Sequence, residues 1–319
     1  MVAKTASRLG VPDKEAIVSE SPFYIPMTGP LARPRRTLKH DDTFVVLDSH
    51  GDIGASAGGP DGLFHSDTRH LARFELVLNE MQPLLLGSNL RDDNSGLTVD
   101  LTNPDIFSGN RIIFQRDMVH IVRTIFLWRG TAYQRIGVQN HGDCTARFDL
   151  TFLFDSDFAD LFEVRGEKRA RRGSRRSEIQ GPADVRLIYT GLDGNVRTTG
   201  LHFDPPPSRL AVNNASYCLE LAPQQVASLF VAISCNLPVE RKIPPFFRGL
   251  LAHRREMREA TAGAAVIETS NDILNEVLCQ SMADLNMLMT ETPDGRYPYA
   301  GIPWYSTTFG RDGLITALQ

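Results

Sequence analysis

Over positions 297–313 the chain gathers Tyr297, Tyr299, Trp304, Tyr305 and Phe309 beside Ser306, Thr307, Thr308, Arg311 and Asp312, and Trp304 is one of only two tryptophans. Aromatic faces with an adjacent arginine and aspartate are the components of a sugar pocket. The axial C–H groups of a sugar ring stack on aromatic faces, while its hydroxyls donate to a carboxylate and accept from a guanidinium. The same spacing fits a structural Arg311–Asp312 pair at a helix start, where a carboxylate complements the helix dipole. Spacing alone leaves the two even.

A second cluster, Phe64-His65-Ser66-Asp67-Thr68-Arg69-His70, reads as a loop just before a strand. A metal centre there would need a third ligand that the sequence does not place, so no metal is expected. Asp67 and Arg69 read instead as an ion pair bracing the loop, with substrate contact the lesser option. Asp92 and Asp93, like Asp155, Asp157 and Asp160, lack the spacing of a calcium loop and read as turn and interface residues. Cys144, Cys218, Cys235 and Cys279 form no CxxC pair and no Cys/His cluster, and are expected as buried free thiols. No cofactor is expected.

The elements that must position these residues are mostly strands. Phe44-Val45-Val46-Leu47 ends in the turn-rich Asp48-Ser49-His50-Gly51-Asp52. Phe74, Leu76 and Leu78 alternate with other residues, as do Val119, Ile121, Arg123, Ile125 and Leu127, and then Phe148, Leu150, Phe152 and Phe154. This period of two marks half-buried strands. Residues 185–190 and 196–203 flank Gly191-Leu192-Asp193-Gly194-Asn195, a hairpin turn. Tyr217, Leu219 and Leu221, then Leu229, Val231 and Ile233, supply two more strands. Some ten strands joined by short turns, without intervening helices, predict two stacked antiparallel sheets.

Residues 1–36 are punctuated by Pro12, Pro22, Pro26, Pro30 and Pro34 and read as an extended tail, laid on the domain through Phe23 and Tyr24. After Pro238 the pattern becomes helical. Pro244-Pro245 opens one helix, and Ser270-Asn271 caps a second. The stripe of this second helix is Leu274, Val277, Leu278, Met282, Leu285 and Met289, and Thr292-Pro293-Asp294-Gly295 is expected to end it. Residues 314–319 begin an apolar helix with no C-cap glycine or polar tail, which reads as a chain cut short.

Composition sets outer limits. The 319 residues are 42% hydrophobic and 23% charged, ordinary for a globular protein and enough for about two domains. Net charge is −4, so no global basic field draws nucleic acid or anionic lipid. No apolar run approaches the ~20 residues of a membrane span. Over 165–176 there are seven basic residues and one acid, Glu167, with no interleaved aromatic, which reads as a solvated loop. The N-terminus carries Lys4 and Arg8 without an apolar core, so a secretory signal is not expected and a cytoplasmic location is.

Longer strings carry a resemblance. Ile302-Pro303-Trp304-Tyr305-Ser306-Thr307-Thr308-Phe309-Gly310-Arg311-Asp312-Gly313-Leu314-Ile315-Thr316-Ala317-Leu318-Gln319 resembles the opening of the catalytic domain of bacterial amylo-alpha-1,6-glucosidase (glycogen debranching enzyme) family proteins. Upstream, Gly62-Leu63-Phe64-His65-Ser66-Asp67-Thr68-Arg69-His70-Leu71, Arg91-Asp92-Asp93-Asn94 and Asp155-Ser156-Asp157-Phe158-Ala159-Asp160-Leu161-Phe162-Glu163-Val164-Arg165-Gly166 are similar to that family's N-terminal domain.

The resemblance covers roughly Thr37 to Gln319 and implies, after the tail (1–36), a mainly β fold: a large two-sheet antiparallel β-sandwich (37–240), a helical linker (241–264), and the truncated start of an (α/α)6 toroid (265–319). It implies an alpha-glucan substrate, with Arg311 and Asp312 holding the terminal sugar, Trp304 as a pocket wall and Tyr305 beside it. The acid and base of an inverting hydrolysis, about 6.5–9.5 Å apart, would come from later helices. No residue of this chain is therefore assigned as catalytic. Two alternatives stand: a non-catalytic carbohydrate-binding or assembly module, and a related toroid glycosidase for another alpha-glycoside. The oligomeric state is not legible.

Overall fold

The computed structural model describes residues 34–54, 59–237, 243–263 and 267–318. The tail's Pro12, Pro22, Phe23, Tyr24, Pro26 and Pro30 lie outside the described residues. Of its last residues, Arg35 pairs with Asp61 at 2.7 Å and Arg36 already opens the first strand.

That strand, β1 (Arg36–His40), forms an antiparallel meander with β2 (Thr43–Leu47), β3 (Gly62–His65) and β4 (Thr68–Leu71). Then come β5 (Arg73–Leu78), β6 (Leu84–Leu90), β7 (Leu97–Thr102) and a small hairpin, β8 (Ile106–Ser108) with β9 (Arg111–Phe114). Three ten-residue strands follow: β10 (Val119–Trp128), β11 (Thr131–Asn140) and β12 (Ala146–Asp155). A one-turn helix α1 (Leu161–Val164) precedes β13 (Ser174–Ile179), β14 (Asp184–Thr190), β15 (Val196–Asp204), β16 (Arg209–Leu210), β17 (Asn214–Leu221) and β18 (Val226–Cys235).

Eight strands pair in the order β13-β14-β15-β18-β11-β10-β7-β6, and four in the order β16-β17-β12-β5. Every ladder is antiparallel. The period-two faces of these strands supply the core. Phe74, Phe152, Phe154 and Tyr217 from the smaller sheet join Leu101, Ile121, Ile136, Phe203 and Val231 from the larger. The sequence's mainly β sandwich is what forms.

The expected ten strands become eighteen before the next helix among the described residues. β3 and β4 occupy the segment that read as a loop around Asp67. Strands of two to four residues contain too few side chains to display a period, and here the ladder partners set the conformation.

Arg123 sits in the alternating run of β10 and follows it inward, with no exposed surface. One of its nitrogens donates to Asp52 Oδ1 at 2.5 Å and to the His50 carbonyl at 2.8 Å, and another to Gln134 Oε1 at 3.0 Å. Burial pushes the Asp52 carboxyl up, and Arg123 pulls it back. Gly51 lets the turn pass over this pair. Its φ is +76°, and a Cβ there would meet Ile125 at 3.0 Å.

The linker helix α2 (Phe246–Thr261) lies on β10 and β11. Phe246 meets Phe126 edge-on at 5.2 Å, and Phe126 stacks on Tyr133 at 4.8 Å. α3 (Asp272–Leu288) is capped by Asn271, whose side chain accepts from the Leu274 amide at 3.1 Å. It ends at Leu288 rather than at 292. A hairpin, β19 (Met289–Thr292) with β20 (Gly295–Pro298), takes the following residues. A last helix, α4, spans Gly310–Leu318. No residue of α3 is buried, and Ile273, Leu274, Val277, Met282 and Leu285 face outward. No helix of the described residues is long and apolar enough to cross a membrane.

The cysteine expectation holds for Cys235, which is buried, and fails for Cys144, Cys218 and Cys279, which are free and exposed. Cys144 falls in the turn before β12. Cys218 falls on the outward positions of β17, and Cys279 on an exposed position of α3.

Candidate functional site

The β1–β2 turn and the 288–305 segment meet side chain to side chain. Lys39 Nζ donates to Thr290 Oγ1 at 2.6 Å and reaches the Leu288 and Met289 carbonyls at 3.4 Å. It also stands 5.3 Å from the centroid of the Tyr299 ring. Asp41 accepts from the Glu291 amide at 2.9 Å, and Asp42 from the Tyr299 hydroxyl at 3.0 Å. Burial lowers the Lys39 ammonium to about 8, with Asp41 and Asp42 opposing the fall. The Tyr299 hydroxyl is pushed up to about 12 by burial and by its bond to Asp42.

Beyond Tyr299 the chain folds tightly on itself. Gly301 and Tyr305 exchange backbone bonds of 3.1 and 2.8 Å, and Ile302 packs on the cluster of Phe44, Val46, Phe64 and Leu161. This fixes the rings of Trp304 and Tyr305 beside the end of α1. That helix is set by a capping box: Asp160 accepts from the Phe162 and Glu163 amides, and Glu163 reaches back to the Asp160 amide. Arg165 follows as its C-cap. Its guanidinium lies 5.5 Å from the Phe162 and Trp304 centroids and 5.6 Å from that of Tyr305.

Asp67 faces the same region from the β3–β4 turn, where Ser66 and Asp67 both take positive φ, 45° and 59°. Its carboxyl is held above the usual range by burial and by Asp42, against the pull of Arg165. Trp304, Tyr305 and Asp67 thus come together around Arg165, with Tyr299 and Asp42 behind them.

Arg69 does not join Asp67. Its guanidinium pairs with both oxygens of Asp157 and reaches the Gly59 and Asp61 carbonyls. The expected Asp67–Arg69 pair is replaced because Asp67 sits at the turn, while Arg69 sits in β4 and points where the strand register sends it.

Arg311 and Asp312 occupy the first turn of α4. Among the described residues neither side chain makes an ion pair or hydrogen bond, so they are not a structural pair. Consecutive helical residues point ~100° apart. The helix start is anchored otherwise. Tyr297 donates to the Phe309 carbonyl at 3.1 Å, and Phe309 meets Tyr305 edge-on at 5.6 Å. A Cβ on Gly313 would lie 1.8 Å from the Tyr297 hydroxyl, so only glycine lets that ring approach.

The basic segment is only partly the expected solvated loop. Arg172 pairs with Glu163 at 3.0 Å, Arg169 with Asp160, and Arg175 donates to the Ser156 carbonyl at 2.6 Å. From Ser174 it is strand β13. Sequence reading missed Arg165 and Asp42 as site residues, and named Tyr299 only as one ring of the 297–313 cluster. Arg165 lies in the run from Asp155 to Gly166 beside Phe162, but Trp304 and Tyr305 are too distant in sequence to suggest it.

The model of the N-terminal domain of (some) glycogen debranching enzymes matches residues 38–232. The chain belongs to that family. No curated protein matches the sequence. Among solved structures, a putative kojibiose phosphorylase from the human microbiome is similar at a TM-score of 0.42 and 10% identity. The match covers 78% of this chain and 35% of that one, so this chain spans about a third of that protein's length. A putative aldose 1-epimerase from Escherichia coli K12 is similar at a TM-score of 0.40 and 8% identity, over 64% of this chain and 99% of that one. A galactose mutarotase-like protein from Lactobacillus casei ATCC 334 gives 0.38 and 9%, over 64% and 100%. Residues 38–232 are thus an N-terminal domain of the kind found in some glycogen debranching enzymes.

Proposed function

We propose that this chain is the sugar-holding portion of an alpha-glucan hydrolase resembling amylo-alpha-1,6-glucosidase, acting on alpha-glucosidic branch linkages. The observation that carries the reading is the gathering of Trp304, Tyr305 and Arg165 at the end of α1, with carboxylates Asp67 and Asp42 beside them. Rings, a forked donor and acceptors in one place are what a sugar ring requires. Trp304 is the pocket wall, and Tyr305 extends it. Arg311 and Asp312, unpaired on the first turn of α4, are left free to bind adjacent hydroxyls of the terminal sugar. Asp67 and Arg165 contribute the sandwich's side of the pocket.

In this reading α3 and α4 are the first helices of an (α/α)6 toroid, which accounts for the uncovered apolar side of α3. The sandwich is residues 37–240 and the linker 241–264. Hydrolysis is inverting, with a protonated acid and a base-activated water on opposite faces of the sugar. The residues named here hold the ring, and none is assigned either role. Exposed free thiols at Cys144, Cys218 and Cys279 fit a reducing, cytoplasmic setting.

The test is calorimetric titration of the 319-residue chain with a short branched malto-oligosaccharide. Binding is expected, weakened roughly tenfold by Trp304→Ala, which corresponds to about 1.4 kcal/mol. Asp312→Asn is expected to weaken it comparably, because the sugar hydroxyls lose a charged acceptor. Equal affinity in wild type and both variants overturns the assignment.

A further inference from the structure

Asp67, Arg165 and Trp304 reach the sugar site from three separate parts of the chain, and Asp42 is bonded toward each of them. Its backbone carbonyl accepts from the Ser66 amide at 3.2 Å, which ties the β1–β2 turn to the β3–β4 turn that carries Asp67. The Asp67 carbonyl in turn accepts from the Leu161 amide at 3.1 Å, at the start of the helix whose C-cap is Arg165. The Asp42 carboxylate takes the third direction and accepts from the Tyr299 hydroxyl at 3.0 Å.

Tyr299 stands at the base of the loop that presents Trp304. The Ala300 amide donates to the Thr307 carbonyl at 3.2 Å, and Gly301 and Tyr305 exchange their bonds inside that closure, so residues 300–307 fold on themselves as one unit. Among the described residues, the bond from Tyr299 to Asp42 is the one hydrogen bond that joins 297–309 to the sandwich. Ile302 adds apolar packing, and Lys39 and Arg165 lie over the rings of Tyr299, Trp304 and Tyr305. Apolar contact is non-directional, so such packing tolerates sliding, whereas a hydrogen bond weakens steeply when it is bent. The donor also keeps its proton well past neutral pH, since burial and Asp42 push the Tyr299 hydroxyl up to about 12.

We infer that Asp42 is a positioning residue of the sugar site, which through Tyr299 sets where the Trp304 loop stands against the Asp67 turn and the end of α1. As a role in sugar binding this rests on the sugar-holding reading, whereas the placement of the indole belongs to the free protein. Substitution of the Asp42 side chain removes the bond to Tyr299 and spares the bond to Ser66, which the backbone makes.

The test pairs calorimetric titration with a short branched malto-oligosaccharide and Trp304 emission without sugar, the latter in a Trp128→Phe background. The variants are Tyr299→Phe, Asp42→Ala, their double variant and Asp42→Asn, each checked for folding by thermal melts. Tyr299→Phe loses only a hydroxyl and keeps the ring. Kd should rise roughly fivefold in Tyr299→Phe and in Asp42→Ala, the net worth of about one hydrogen bond. The double variant should lose no more than either single one, and Trp304 emission should shift in all three. Asp42→Asn, whose amide oxygen can still accept from the hydroxyl, should restore both affinity and emission. Wild-type affinity in Tyr299→Phe, beside weakened binding in Trp304→Ala, overturns the positioning role and leaves the sugar reading standing. So do additive losses in the double variant, or an Asp42→Asn as weak as Asp42→Ala. Equal binding by Trp304→Ala and wild type overturns the sugar reading instead. An unmoved Trp304 emission in Tyr299→Phe overturns the positioning role whatever the titration gives.

Discussion

The Arg165 guanidinium rests over the Trp304 ring, 5.5 Å from its centroid, although the two residues belong to different parts of the fold. Phe162 and Tyr305 flank the same cation. Such contacts are worth about 0.5–1 kcal/mol each where water reaches them. Arg165→Ala should therefore cost about 1 kcal/mol of stability and shift Trp304 emission to longer wavelength, read in a Trp128→Phe background. Arg165→Lys should restore less than half, since an ammonium cannot lie flat across several rings. An unmoved emission maximum in Arg165→Ala would show that the cation does not order the indole.

Arg123 and Asp52 give the strongest stability prediction. Both are buried, and removal of the guanidinium strands Asp52 and Gln134 in the core. Breaking one partner of a buried pair typically costs about 3–5 kcal/mol. Arg123→Met should lower urea stability by that amount, and the double variant with Asp52→Leu should recover part of it. A loss below about 1 kcal/mol in Arg123→Met would contradict this account.

Acid should unfold the domain through two histidines. His70 Nδ1 lies 3.2 Å from the Thr198 carbonyl and His253 Nε2 lies 3.1 Å from the Ser95 carbonyl, so each of these nitrogens donates. The remaining ring nitrogens are buried without a partner among the described residues, and a proton there would find no acceptor among them. Burial lowers His70 to about 3 and His253 to about 4. The unfolded chain binds these protons first as pH falls, so stability declines below the ordinary histidine pKa of ~6.5 until the folded values are passed. His253→Gln should flatten the slope of urea stability between pH 6.5 and pH 4. A slope unchanged by the substitution would count against burial as its cause.

Lys39 should act at the other end of the scale. Its folded value of about 8 lies below the ordinary 10.5, so between these values the unfolded chain holds the extra proton and stability rises with pH. Wild type should gain on Lys39→Met by up to about 3 kcal/mol over that interval. Thermal melts of both proteins at pH 8 and pH 10.5 read the difference, and parallel curves would refute it.

The long strands were legible because each has one face in the core and one outside. Phe148, Leu150, Phe152 and Phe154 declare that alternation directly. Gly62–His65 and Thr68–Leu71 did not, since four residues buried on both sides show no period. Leu84–Leu90 hid for the opposite reason, because an edge strand with outward leucines and a bulge obeys neither pattern. In the site, the rings could be read from composition and Asp67 from its cluster. Arg165 could not, because the same arginine in a basic run reads as solvated until Trp304 is brought to it. The Asp67–Arg69 pairing failed on register, which no local spacing fixes.

The bonds from Lys39, Asp41 and Asp42 to Thr290, Glu291 and Tyr299 join residues about 250 positions apart. On a ribosome adding about 5–20 residues per second, the β1–β2 turn leaves the tunnel roughly 12–50 s before its partners leave it. The β-sandwich can close in that interval, with Lys39 and the two aspartates still in water. Translation speed through residues 240–290 thus sets how long the nascent sandwich waits with this face uncovered, and slow codons there would lengthen the time it is open to chaperones.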